Sequence, residues 1–281
     1  MSTLDTVIFP VAGLGTRMLP ATKVTPKELL PVYDTPLLQF AIDEALAAGA
    51  KRLVFVSHPD KAAIERYVEP APRLEAELEE KGKTELLEAV RASRLPEGVE
   101  ARFVMQHEQK GLGHAVLCAA DDVLDGPVGI VLPDDLILGV PCLGEMAAAF
   151  DGDTMASLVA AQEVPRTKTS SYGIFDCDAG SERTIAARGF VEKPSPDVAP
   201  STLAAVGRYV LSPDVFGILR GTGRGAGGEI QLTDAIAEMG RIHAFRFSGE
   251  RHDCGDKDGM VRATLAVQDM RSGAHLKVAA Q

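Results

Sequence analysis

The chain has 281 residues, 46% hydrophobic and 25% charged, with no tryptophan. That length and apolar fraction exclude a disordered segment and suffice for one large α/β domain or two small ones. Its formal net charge of −11, from 40 acidic and 29 basic side chains, is opposite to that of a nucleic-acid or anionic-membrane binder, so any positive field must be local.

The opening residues show no basic stretch followed by an apolar one, and no apolar run nears the roughly 18 residues of a membrane span. A cytoplasmic protein with no membrane or nucleic-acid partner is therefore expected. Cys118, Cys142, Cys177 and Cys254 have no metal-ligand spacing and read as small buried hydrophobes in a reducing compartment.

In chain order, Thr6–Ala12 reads as a buried strand, Pro36–Ala48 as a helix stopped by Gly49, Arg52–Ser57 as a strand, and a helix follows from about Asp60. Residues 69–94 are charge-dense and helix-favouring; Leu74, Leu78, Leu86, Leu87 and Val90 form an apolar stripe on what resembles a helical insertion. Arg102–Met105 and Val128–Leu132 are strands flanking a helix through Ala115–Val123. Near-continuous apolar strands alternating with helices predict a doubly wound, mostly parallel, Rossmann-like sheet covered on both faces. The second half is richer in strands, at Ala156–Glu163, Tyr172–Phe175, Phe190–Glu192 and Ala204–Leu211, with helices at Pro213–Leu219, Ile230–Met239 and Lys257–Met270. No linker separates the halves.

After the first strand comes Ala12-Gly13-Leu14-Gly15-Thr16-Arg17. Two glycines permit positive φ and close approach of backbone N–H groups to a phosphate. The loop is neither a dinucleotide fingerprint nor a Walker loop. Arg17, Lys23 and Lys27, bracketed by Pro20, Pro26 and Pro31, add cations from several sides, suiting a polyphosphate at the carboxyl edge of the strand.

Further on, Gln106 precedes Gly111-Leu112-Gly113-His114, and an amide can both donate to and accept from a base edge. Asp134 and Asp135 follow an apolar strand, where a carboxylate can hold a divalent cation. Asp135 reads as a cap or turn neighbour, Asp256 as the N-cap of the last helix, and His107 and His114 as loop or helix-face residues. Asp253 is a second candidate metal ligand, whereas His252 beside it would point to the opposite face. Glu192 can accept from hydroxyls and Lys193 can bind a phosphate.

Gly13-Leu14-Gly15-Thr16-Arg17 and Pro26-Lys27-Glu28-Leu29-Leu30-Pro31, with spaced points through Gly255, resemble the sugar-1-phosphate nucleotidyltransferases, and Lys23-Val24-Thr25-Pro26-Lys27-Glu28 is similar to their uridine-using bacterial branch. The resemblance implies one domain over 1–281, with a nucleotide-binding half (about 1–150), a sugar-binding half (about 151–256) and a C-terminal helix (about 257–281). It implies Mg²⁺-dependent transfer of uridylyl from UTP to glucose 1-phosphate, giving UDP-glucose and pyrophosphate, by a homo-oligomer (dimer or tetramer). On this resemblance, Arg17, Lys27 and Lys193 are catalytic. Ala12, Gly13, Gly15, Thr16, Glu28, Gln106 and Gly111 meet the nucleotide, Gly173, Glu192 and Gly207 the sugar, and Asp134 and Asp253 the metal. A dTTP-using relative and a non-catalytic nucleotide-sugar-binding paralogue are the alternatives.

Overall fold

The computed structural model describes residues 4–178 and 180–279. The first strand, β1 (Thr6–Pro10), is followed by a loop of short 3₁₀ turns and the small hairpin β2 (Pro31–Val32) and β3 (Thr35–Pro36). Helix α1 (Leu37–Ala47), strand β4 (Arg52–Ser57), helix α2 (Ala62–Val68), the pair α3 (Pro72–Glu80) and α4 (Thr84–Ala92), and strand β5 (Glu100–Met105) complete one edge of the sheet. Then come α5 (Leu112–Cys118), β6 (Val128–Val131), β7 (Asp135–Leu138), α6 (Cys142–Ala149), β8 (Ser157–Glu163), β9 (Gly173–Asp176), β10 (Thr184–Ala187), β11 (Gly189–Glu192) and β12 (Leu203–Leu211). The chain closes with α7 (Asp214–Gly221), α8 (Leu232–Met239), β13 (Ile242–Arg246), β14 (Glu250–Asp253) and α9 (Lys257–Ala279). Residues 280 and 281 of the anticipated terminal helix lie outside the described residues, as do residues 1–3.

The main sheet runs β10-β13-β8-β12-β6-β1-β4-β5, with β9 joined to β12 and β11 to β9. Strands β5, β4, β1 and β6 are mutually parallel, and β8 and β13 are parallel to each other; β12 is antiparallel to both β6 and β8. This is the expected mostly parallel α/β sheet. The alternation of side chains along each strand divides the core in two. Ile8, Val54 and Val56 face α5, α7 and α8, whereas Val7, Phe9, Leu53 and Phe55 face α1, α2 and α6. On the second face Phe9, Phe55 and Phe103 stack in a row at centroid spacings of 4.9 and 5.2 Å. A third apolar cluster joins Met18 of the first loop to Val32, Leu136, Cys254 and the inner face of α9 through Met260, Ala263 and Val267. Loop and helix thereby share one core, which fixes the loop's position over the sheet.

Several expectations are corrected. α5 begins and ends earlier than expected, and β7, β10, β13, β14 and α6 were not anticipated. Asp135 is not a cap: it opens β7, opposite Asp253 in the antiparallel pair β7–β14. In the helical insertion the apolar stripe is only partly used, since Leu87 is buried but Leu74 and Leu86 are exposed. The hairpin closes instead on buried Glu75, which accepts from Arg91 and pairs with Arg94. Asp256 does cap α9, accepting from Gly259 N at 2.7 Å. Among the described residues, no helix is long and apolar enough to cross a membrane.

Behind the carboxyl end of β6 lies a buried ion pair. Arg208 on β12, 1% exposed, donates from Nε and Nη2 to the Glu44 carboxylate of α1 at 2.8–3.0 Å, and from Nη1 to the Leu132 and Gly207 carbonyls at 3.0 Å. Glu44 also accepts from Leu143 N at 2.9 Å, which brings in α6. Removing one partner strands a buried charge, so Arg208→Met should lower unfolding free energy by about 3–5 kcal/mol, and Glu44→Leu/Arg208→Met should recover most of that loss. Urea unfolding of both variants checks this; equal losses in the two would show that the cost is not electrostatic.

Candidate active site

The carboxyl ends of β1, β5 and β6 open onto one cleft with two halves. The first, of about 460 Å³, is lined by Ala12, Gly13, Arg17, Lys27, Glu28, Gln106, Gln109, Gly111 and Asp134, among others. The second, of about 230 Å³, includes Asp135, Tyr172, Gly173, Glu192, Lys193, Gly207, Thr233, Arg251 and Asp253. Four residues border both halves: Arg17, Leu112, Leu132 and Asp134.

In the first loop only Gly15 has a positive φ, 63°; the expectation of a second such glycine at Gly13 is not met. Thr22 Oγ1 donates to Gly15 O at 2.9 Å, and Gln109 Nε2 to Ala12 O at 3.0 Å, so the loop's carbonyls are turned inward to side chains. Beneath it, buried Lys61 donates to Val11 O at 2.7 Å and to Glu28 Oε2 at 2.8 Å. Burial pushes the Lys61 ammonium below its ordinary pKa, although Glu28 opposes this.

Lys27 Nζ donates to Asp134 Oδ2 at 2.6 Å. Burial works against both charges, yet their mutual attraction outweighs it: Lys27 titrates above its ordinary value and Asp134 below. Asp135, next along, accepts from Gly207 N at 2.7 Å and from Arg251 Nε at 2.6 Å. There burial prevails over Arg251 and raises the carboxyl. The Arg251 guanidinium lies 5.3 Å from the Tyr172 ring centroid. Two adjacent carboxylates are thus held by two different cations, each delivered from a distant part of the chain.

Glu192 ends β11, accepts from Thr233 Oγ1 at 2.5 Å and lies 3.3 Å from Lys193 Nζ. Lys193 has φ 46° and a half-exposed side chain, so its ammonium is free to reach into the cleft. Three glycines make room here. A Cβ on Gly173 would stand 2.9 Å from the Phe190 ring, and one on Gly207 would stand 2.6 Å from Leu132 Cβ. A Cβ on Gly255 would meet Asp253 Oδ1 at 2.8 Å and both terminal nitrogens of Arg17 at 3.2 Å. Asp253 Oδ1 in turn accepts from Gly255 N at 2.9 Å.

The structure brings together most of the anticipated residues. Gly15 and Thr16 shape the loop but line neither half, and Lys23 lies exposed away from both. The Gly207 N–H is already donated to Asp135, and the place of its missing Cβ is taken by Leu132 and Asp135. His252 Nε2 faces Glu250 at 3.4 Å and does not line the cleft. Gln109, Asp135, Arg251, Lys61 and the Arg208–Glu44 pair were missed as site residues; no local motif marks them, and only their meeting in space does.

Asp134 and Asp253 both line the smaller half and are hard oxygen donors, suited to a small divalent cation. Among the described residues no three His, Cys, Asp or Glu side chains gather into a closed metal cage. A cation held by these two would take its remaining ligands from phosphate oxygens and water, which is how Mg²⁺ is commonly bound.

A mostly parallel α/β sheet whose glycine-rich, cation-bearing first loop meets a small polar pocket is the arrangement of a nucleotidyltransferase. The nucleotidyl transferase family profile matches residues 7–270, and the chain belongs to this family. Nucleotidyltransferases of this family generally use a divalent metal. The UTP–glucose-1-phosphate uridylyltransferase of Bacillus subtilis is 45% identical over 276 residues, 96% of this chain and 93% of that protein. A UDP-glucose pyrophosphorylase solved with UDP-glucose is similar at 36% identity with a TM-score of 0.83, covering 95% of this chain and 99% of that one. A UTP-bound enzyme of this kind from Acinetobacter baumannii is similar at 38% identity and TM-score 0.86, covering 94% of this chain and 93% of its own.

Gly255→Ala tests the packing of Asp253 and Arg17 against each other. Its φ lies outside the positive region, and the clash falls on side-chain ends, first Asp253 Oδ1 and then the terminal nitrogens of Arg17. The unfolding free energy should therefore stay within about 0.5 kcal/mol of the parent, while nucleotidyl transfer falls roughly tenfold to a hundredfold through misplacement of the guanidinium. Unchanged turnover at unchanged stability would show that the placement of neither Arg17 nor Asp253 limits the reaction.

Proposed function

We propose that this chain transfers a uridylyl group from UTP to α-D-glucose 1-phosphate, releasing pyrophosphate and forming UDP-glucose. The observation that carries the reading is the divided cleft, whose halves meet at Arg17 and Asp134. A nucleoside triphosphate in the larger half and a sugar phosphate in the smaller would place the α-phosphorus and its attacker side by side at that border.

An oxygen of the sugar phosphate forms a bond to the α-phosphorus, and the bond from that phosphorus to the oxygen bridging to the β-phosphorus breaks, so pyrophosphate departs. The attacking oxygen is already ionised at neutral pH, and no general base is needed. The protein's part is alignment and charge neutralisation.

Ala12, Gly13 and Gly15, with Thr16 and Glu28, shape the cradle for the nucleotide, while Gln106 and Gly111 meet its base. Arg17 and Lys27 face the triphosphate and the leaving group. An ammonium carries three donors, so Lys27 can keep Asp134 and still reach a phosphate oxygen. Lys193 binds the phosphate of the sugar substrate, Glu192 accepts from sugar hydroxyls, and Gly173 and Gly207 line the sugar's pocket. Asp134 with Asp253 would hold Mg²⁺, which when bound supplies a Lewis acid for the phosphate charge. In this reading residues 1–150 serve the nucleotide and 151–256 the sugar, within one domain. It also carries a cytoplasmic homo-oligomer, dimer or tetramer, for which exposed Val261, Leu265 and Met270 on α9 offer apolar surface.

Pyrophosphate release by the purified protein with Mg²⁺ and glucose 1-phosphate, measured with each nucleoside triphosphate in turn, tests this. UTP should be turned over in preference to dTTP, CTP, ATP and GTP; a dTTP preference would move the protein to the thymidylyl alternative, and no release with any of them would favour a non-catalytic binder. Lys193→Ala should lower kcat/KM for glucose 1-phosphate roughly a hundredfold, as expected for loss of a charged contact to the reacting phosphate, with the KM for UTP little changed. Near-normal turnover in that variant would end the role given to Lys193.

A further inference from the structure

Gln106 follows β5, is 4% exposed, and lies on the wall of the larger half of the cleft. Its Nε2 donates to the Gly111 carbonyl at 3.3 Å and contacts His114 Nδ1 at 2.9 Å. A carbonyl oxygen only accepts, so the Gly111 contact sets which end of the amide points inward. His114 Nδ1 is then the acceptor, and the ring's proton sits on Nε2. Both amide hydrogens are committed to the protein, and Oε1 is the end left open, with no hydrogen bond to any described residue.

A pure acceptor therefore faces the base. Uracil offers an N3–H donor on its pairing edge, whereas cytosine has an unprotonated ring nitrogen there, and two lone pairs would oppose each other. Resting on the uridylyl-transfer reading, in which Gln106 meets the base, we propose that His114 is a positioning residue for base choice: it holds the Gln106 amide oxygen outward and so selects an imide base over one with a bare ring nitrogen.

The surroundings keep the imidazole able to accept. Burial and Lys110 push His114 below its ordinary pKa, with Glu108 opposing them. Cys118, one turn along α5, lies 3.9 Å from both ring nitrogens. α5 packs on β1, β4, α7 and α8. β1 carries no ionisable side chain, and Arg52 of β4 is paired with Glu100. α7 carries Asp214 and Arg220, α8 carries Asp234 and Glu238, and Glu229 precedes α8. None of these carboxylates is within ion-pairing distance of the ring among the described residues. Protonation would turn Nδ1 into a donor, and the amide would lose its outer partner or turn over to present nitrogen to the base.

KM and kcat for UTP and for CTP, at saturating glucose 1-phosphate and Mg²⁺, should be measured for the parent, His114→Leu, His114→Gln and Gln106→Ala. His114→Leu should raise the UTP KM about five- to tenfold and cut the preference for UTP over CTP by a like factor, with kcat changed less than about twofold. His114→Gln, whose amide oxygen can accept from Gln106, should restore most of both. In the parent the preference should fall as pH drops below the ordinary histidine value of 6.5, and His114→Leu should lack that limb. Both nucleotides carry the same triphosphate, so their ratio cancels its protonation. If His114→Leu retains the parent KM and preference while Gln106→Ala loses them, the positioning role of His114 is overturned. If Gln106→Ala itself keeps the preference, the assignment of Gln106 to the base falls and takes this proposal with it. A parent that turns over glucose 1-phosphate with no nucleotide overturns the uridylyl-transfer reading as well.

Discussion

The site depends first on a guanidinium that never touches the cleft. Arg208 sits between α1, β6 and β12, and its donors are divided between Glu44 and the carbonyls of Leu132 and Gly207. Those carbonyls belong to the residue two before Asp134 and to the wall of the smaller half of the cleft. Each carbonyl also accepts a backbone N–H, Gly207 O from Leu132 N at 2.8 Å and Leu132 O from Asp135 N at 3.2 Å, so the guanidinium binds a crossing that the backbone has already closed. A buried ion pair is not by itself a source of net stability; its value here is geometric. It fixes where β6 stops and where β12 runs past it, and Asp134 and Asp135 emerge from that point.

From there the charges are set out in pairs. Asp134 meets Lys27, Asp135 meets Arg251, Glu28 meets Lys61, and Glu192 meets Lys193. Each of these four acids has a basic neighbour already in place, so a polyanionic substrate enters a site whose central charges are locally balanced while the chain as a whole carries −11. Surface acids beyond about 8 Å are screened at physiological ionic strength. The net charge therefore describes the exterior, and the handful of cations around Arg17 decides what binds.

How far the sequence reveals this depends on whether partners are close along the chain. The first loop, Asp134 and Glu192-Lys193 are short runs following apolar strands, and they are legible because the strand pattern and the motif adjoin. Arg208 and Glu44 are 164 residues apart, and Asp135 and Arg251 116; no local periodicity couples them. Asp135 resembled a cap because a four-residue strand separated from the end of β6 by only three residues leaves no alternation to read. It became visible only through β14, whose own four residues, Glu-Arg-His-Asp, carry no strand signature. The insertion misled for a related reason: its leucines suggested an apolar seam, whereas Glu75 collects two arginines from across the hairpin.

The border of the two halves adds a final constraint. Beside Arg17 and Asp134 stand Leu112 and Leu132, which bring no polar atom of their side chains to the junction. Apolar walls exclude water and lower the local dielectric, and an ion pair is worth several times more there than in bulk solvent. Gly173, Gly207 and Gly255 act in the same direction by omission, since each lets a polar group or ring approach where a methyl would collide. The cleft thus concentrates its electrostatics in a narrow strip between the halves and leaves the outer walls to shape. A phosphorus positioned in that strip is surrounded by charges whose orientations were settled by folding, so little reorganisation remains when the bond to the leaving pyrophosphate breaks.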